Sequence, residues 1–129
     1  MAESVLKAKS YDFALRMIKL YQHLINEKRE FVLSKQVLRS GTSIGANIEE
    51  ANQGQSKADF IHKLSIANKE AFETNYWLRL LRDSEIIESK LAESILSDCE
   101  ELQRMLTASI KTSEAWVNNY PLSTFKYPL

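Results

Sequence analysis

The chain has 129 residues, 44% of them hydrophobic, and a formal net charge of zero, the size and apolar content of one domain with one ordinary core. Balanced charge excludes a global field that would draw the whole protein to nucleic acid or to a membrane. A single cysteine, Cys99, excludes an internal disulfide, no window reaches the roughly 18 apolar residues of a membrane-spanning helix, and Met1–Lys9 lacks the apolar centre of a signal peptide, so a cytoplasmic protein is expected.

Both prolines, Pro121 and Pro128, lie near the C-terminus, and only three glycines occur, so the chain up to residue 120 reads as helix. Apolar residues at Ala14, Met17, Ile18, Tyr21, Leu24 and Ile25 repeat at i, i+3, i+4 and i+7 and predict a first helix over Ser10–Glu27, with Ser4 as its earliest start. The charged run Asn26–Glu30 interrupts that stripe. A heptad seam then follows at Val37, Gly41, Ile44, Ile48 and Ala51. Gly54 stands where a left-handed cap ends a helix, and Ser56 with Asp59 forms a capping-box-like start for the next. The third helix is the most regular, with Phe60, Leu64, Ala67, Ala71, Thr74, Leu78 and Leu81 alternating by four and three. After a turn at Asp83–Ile87, the fourth repeats the spacing at Ala92, Ile95, Cys99, Leu102, Leu106 and Ser109, widened by Leu91, Leu96, Met105 and Ile110. Four long amphipathic helices with short connections predict an all-α, antiparallel up-down-up-down four-helix bundle. It is expected over residues 1–115, with an aromatic, proline-containing tail over 116–129.

Helix three also carries Ile61, Ile66, Phe72, Tyr76, Trp77 and Leu80 outside its seam, more than one core covers, which points to a homo-oligomer. The tail residues Tyr120, Leu122, Phe125, Tyr127 and Leu129 are expected to dock on the bundle or on a neighbouring subunit. Charge is uneven along the chain: residues 1–39 hold eight Lys or Arg against four acids, and residues 85–101 hold six acids against Lys90. Such faces either attract one another within or between subunits, or leave the basic stretch as a binding surface.

Gly41 and Gly45 sit one turn apart inside a helix, at a cost of about 1 kcal/mol each relative to alanine. Close approach of another helix offsets that cost more simply than a phosphate-binding loop, because no strand precedes the glycines. Arg39, Asn47 and Glu50 on helix two are placed to meet Glu70 and Glu73 on helix three. The group is either a polar network that sets helix register or a carboxylate cluster. Asp59-x-x-His62 and Glu70-x-x-Glu73 fall one ligand set short of a dinuclear metal bundle, His23 lies on a polar side, and Cys99 occupies a seam position, so no metal, cofactor or enzymatic activity is expected.

The run Gln36, Arg39-Ser40, Ser43-Ile44, Asn47-Ile48-Glu49-Glu50-Ala51, followed by Ser56, Asp59-Phe60, Leu64, Ile66-Ala67, Lys69-Glu70-Ala71 and Glu73-Thr74, resembles the bacterial four-helix bundle proteins encoded in intervening sequences of 23S ribosomal RNA genes. The resemblance extends from about Tyr11 to Ile110. In fold these proteins are similar to the accessory variability protein of diversity-generating retroelements, a basic homopentamer that binds nucleic acid. The resemblance implies a pentamer with a nucleic-acid or ribonucleoprotein role and no enzymatic activity, and it makes Arg39, Asn47, Glu50, Glu70 and Glu73 structural. A neutral chain binds RNA only if its cations gather on one face. The candidates for that face are Lys7, Lys9, Arg16, Lys19, Lys28, Arg29 and Lys35, multiplied by subunit repetition. The competing expectation is a scaffold that holds a partner protein through helix three and the tail. A metal-site protein built on Glu50, His62, Glu70 and Glu73 is the distant third.

Overall fold

The computed structural model describes residues 2–119, with side chains from Val5 onward. The apolar stripes meet in four helices, α1 (Ala2–Asn26), α2 (Leu33–Ala51), α3 (Lys57–Asp83) and α4 (Ser89–Asn119). Each packs on its chain neighbours, and α1 closes the bundle on α4, though that last pair touches least. No strand occurs among the described residues, and the architecture is the expected all-α four-helix bundle. No helix among them is long and apolar enough to cross a membrane.

The expected seams of α2 and α3 face the core, where Val37, Ile44, Ile48, Leu64, Ala67, Ala71, Leu78 and Leu81 are fully buried. On α4 the seam is Ala92, Ile95, Cys99, Leu102 and Leu106. The α1 stripe differs from expectation. Its buried positions are Leu6, Ser10, Phe13, Met17, Leu20 and Leu24, again alternating by four and three, while Ile18 is exposed. The helix also begins well before Ser10. The reason is that α1 carries a second apolar row, Tyr11, Leu15 and Ile18, on the side facing solvent. Two stripes on one helix blur the period that locates either.

Gly41 and Gly45 are explained by α1. A Cβ on Gly45 would stand 3.3 Å from the Ser10 carbonyl oxygen, and one on Gly41 would meet Met17 Cγ at 2.4 Å. Gly54 is not a left-handed cap, since no glycine has positive φ. It is cramped instead between the Ala51 carbonyl and the first turn of α3, where a Cβ would lie 3.3 Å from Asp59 Cβ. Ser56 caps α3 as expected, its Oγ accepting from the Asp59 N–H at 3.1 Å.

The start of α2 is capped from upstream by the Glu30 carboxylate, which accepts from the backbone N–H groups of Val32, Leu33 and Ser34 at 3.2, 3.0 and 2.6 Å. Between α3 and α4, Glu85 takes the left-handed conformation at φ 61°, and the Ile86 N–H returns to the Leu81 carbonyl. Helix α4 continues through Trp116 to Asn119. Tyr120, Leu122, Phe125, Tyr127 and Leu129 lie outside the described residues.

Candidate functional site

Antiparallel packing of α2 on α3 brings Arg39 onto two carboxylates. Its Nη1 donates to Glu70 Oε1 at 3.1 Å, its Nη2 donates to Glu73 Oε2, and Gln36 Oε1 accepts from the same guanidinium. Ser43 Oγ donates to Glu70 Oε1 at 2.7 Å, and the Trp77 indole N–H donates to Glu73 Oε2 at 2.9 Å. Beneath them, in the core, the hydroxyls of Thr74 and Ser40 are hydrogen-bonded at 2.8 Å. The cluster is a clamp with its outer edge in water, since the Arg39 side chain is 51% exposed while that of Glu70 is largely covered. Each carboxylate is held by charge-assisted hydrogen bonds, an arrangement that fixes the register of α2 on α3.

Two residues expected in this cluster stand outside it. Asn47 Nδ2 donates to the Ser43 carbonyl of its own helix, and Glu50 accepts from Lys63 Nζ at 2.7 Å near the far end of α2. Glu50 lies more than two turns beyond Arg39, so the helical rise carries it out of reach. Trp77, one of the apolar residues outside the expected α3 seam, joins the clamp through its indole N–H. Its position four residues after Glu73 is the signal that could have placed it there.

Glu50, Asp59 and His62 line one open depression with Glu49 and Lys63, about two to three turns of α3 away from Glu70. Among the described residues no group of three or more His, Cys, Asp and Glu is arranged to hold a metal ion. Cys99 is fully buried and lies 3.3 Å from the Ala71 carbonyl. Burial, with smaller contributions from Glu100 and Asp98, pushes its thiol up to about 12. The thiolate is therefore scarce at neutral pH, and Cys99 serves as a small core side chain.

The seven basic candidates divide into two groups. Lys7 pairs with Glu49 at 3.4 Å, Lys9 with Glu101 at 3.3 Å, and Arg16 with Asp98 at 2.7 Å. The basic first helix and the acidic fourth thus attract one another within the subunit. Lys19, Lys28, Arg29 and Lys35 are exposed and have no carboxylate partner among the described residues. Lys28, Arg29 and Lys35 gather at the α1–α2 turn, which also exposes Phe31 and Val32, while Lys19 lies about two turns back on α1, beside Leu91 and Ile95 of α4. The arrangement separates cations that hold the fold from cations available to a polyanion.

A long antiparallel four-helix bundle with a polar clamp between its second and third helices defines the structural class. Within that class the chain belongs to the 23S rRNA-intervening sequence protein family, whose model matches residues 3–108. Among solved structures it is similar to a protein of unknown function from the S23 ribosomal protein family of Bacteroides thetaiotaomicron. That similarity has 57% identity and a TM-score of 0.85, and covers 86% of this chain and 99% of the other. No curated protein matches the chain.

Proposed function

We propose that the chain is a non-enzymatic, cytoplasmic bundle that assembles as a homopentamer and associates with RNA or a ribonucleoprotein particle. The observation that carries the assembly is the outer row of α1. Tyr11, Leu15 and Ile18 are all more than two-fifths exposed on a helix whose opposite side already completes the core. An apolar row beyond what the core needs is what a copy–copy contact covers, and a ring requires such a face on every subunit.

The RNA part of the reading draws on the family's link to the 23S rRNA intervening sequence and on the three cations Lys28, Arg29 and Lys35 at the α1–α2 turn. Repeated around a ring, that modest cluster becomes multivalent, which compensates for zero net charge.

Light scattering coupled to size exclusion, followed by titration of the same peak with labelled RNA at low and moderate salt, tests both parts. The expected result is a mass near five subunits and binding that weakens as salt rises. A monomer removes the assembly and the multivalency argument together. Absence of binding at low salt, or binding indifferent to salt, removes the RNA reading. A multimer that ignores RNA but retains a protein partner after nuclease treatment returns the chain to the scaffold class.

A further inference from the structure

Helix α3 turns a second, chemically distinct face to solvent. On the side opposite its core seam the exposed positions are His62, Ser65, Lys69, Phe72, Tyr76 and Arg79, spaced by threes and fours. Phe72 is 58% exposed and Tyr76 47%. The two rings are one turn apart, about 6 Å along the axis. Lys69 stands one turn before them and Arg79 one turn after, neither with a carboxylate partner among the described residues. The Arg79 guanidinium lies 5.7 Å from the Tyr76 ring centroid, and its Nε donates to neutral Asn75 at 2.8 Å. Asp83, one turn beyond Arg79, is ion-paired with Arg82 at 2.7 Å and also feels the Arg79 charge.

The Tyr76 ring is braced from behind. Trp77 meets it edge-on with centroids 5.2 Å apart, and Trp77 is tied to Glu73, which in turn holds Arg39. The clamp between α2 and α3 therefore fixes one wall of an exposed aromatic surface, which limits the ordering cost of stacking a ligand on it.

Two solvent-facing rings one turn apart, with a cation beyond each that closes no ion pair, match what a single-stranded nucleic acid offers: base faces to stack and phosphates to neutralise. The outer face of α1 differs, carrying a single ring, Tyr11, beside aliphatic Leu15 and Ile18, with Lys7, Lys9 and Arg16 committed to carboxylates. In an up-down bundle the C-terminal half of α3 also points to the end that carries the α1–α2 turn. Arg79 and the cations of that turn thus share one end of the molecule. We propose that single-stranded RNA stacks on the outward face of α3, on Phe72 and Tyr76, with Lys69 and Arg79 on its phosphates. The proposal rests on the RNA-associated reading above and assigns that reading a site.

The test uses the full chain and fluorescently labelled oligouridine of about 16 nucleotides, the upper range of single-strand sites, with duplex RNA of equal length as comparison. Single strands are expected to bind more tightly than duplex. The double variant Phe72→Ala/Tyr76→Ala should lose about tenfold or more in affinity, with unchanged helicity and unchanged mass in solution. Phe72→Tyr/Tyr76→Phe should bind as the parent does. Lys69→Ala/Arg79→Ala should lower the slope of log affinity against log salt by about 1.4. If the parent binds oligouridine and the aromatic double variant binds equally well, the α3 site is wrong while the RNA reading stands. If the parent binds no RNA at low salt, the RNA reading itself is wrong. If the aromatic variant changes the assembled mass, the face is a copy–copy contact and the proposal is overturned.

Discussion

Where α2 meets α1 and α3, small residues and buried hydroxyls bring the helices together: Gly45 lies against the Ser10 backbone, Gly41 receives Met17, and Thr74 bonds Ser40. Where α1 meets α4, the helices touch least, and Lys9 and Arg16 reach across to Glu101 and Asp98 over an open groove of about 270 Å³. The first side is held by contacts that water cannot replace. The second is held by charges that salt and water weaken. The bundle therefore concentrates its stability around α2 and leaves α1–α4 as the edge most responsive to solution conditions.

The largest effect is expected from Met17→Ala. Met17 is completely buried and fills the hollow left by Gly41, so its truncation should cost about 2–5 kcal/mol in chemical denaturation. A double-mutant cycle sharpens the point. Gly41→Ala alone should destabilise, because its Cβ meets Met17 Cγ at 2.4 Å and the overpacking exceeds the helix-propensity gain of about 1 kcal/mol. Combined with Met17→Ala, the same change should become favourable, since the space is then empty. Additive effects would mean that α1 and α2 are not locked through this contact.

The next effect concerns the buried hydroxyl pair. Thr74→Val keeps the shape but leaves Ser40 Oγ without its partner on α3, and should cost about 1–3 kcal/mol. Adding Ser40→Ala should recover part of that loss, because two apolar groups facing each other require no hydrogen bond. A double variant worse than the single one would place the importance of the pair elsewhere than in mutual satisfaction.

These two sites also mark what was legible in the sequence. The seams of α2, α3 and α4 are readable because each repeats by fours and threes without a break, even where further apolar residues flank it on α3 and α4, and the Arg39–Glu70–Glu73 contact follows from antiparallel pairing of two patterned segments. The α1 seam is not, because Leu15 and Ile18 face solvent while Ser10 is buried, so polarity and burial disagree at several positions of one helix. Glu50 stands outside the clamp because residue type alone does not carry the helical rise of about three turns that separates it from Arg39. Glu30 as a cap lay beyond the usual signal, since the capping side chain precedes the helix by three residues and is not a short Ser, Thr or Asp. Which cations stay free depends on which carboxylates the fold brings opposite them, and no sequence period encodes that.

A smaller effect, of opposite sign, is expected at the turn leading into α4. Glu85 holds φ at 61° with a side chain, a conformation that costs a non-glycine residue about 1–2 kcal/mol. Glu85→Gly should remove that strain while loosening the unfolded chain, for a net gain of up to about 1 kcal/mol. A loss instead would show that the Glu85 side chain contributes more to the turn than its backbone strain removes.

The smallest effect should come from the α1–α4 edge itself. Arg16 donates to Asp98 at 2.7 Å and to Ser94 at 2.8 Å, but Asp98 is half exposed, so the pair is screened by solvent. Arg16→Ala should therefore cost about 0.5 kcal/mol at low ionic strength, as should Asp98→Asn. At 1 M salt, where the screening length is about 3 Å, the Asp98→Asn loss should approach zero and the Arg16→Ala loss should shrink to what its stem contributes. Arg16 also lines the cavity beside Leu20, Leu91 and Ile95, so its alkyl stem has a packing role separate from its charge. Arg16→Met separates the two, because it keeps most of the stem and removes the guanidinium. If Met restores stability at every salt concentration, the edge is held by packing after all and the contrast with α2 is one of degree. If it behaves as Ala does at low salt and as the parent does at high salt, charge alone closes this side of the bundle.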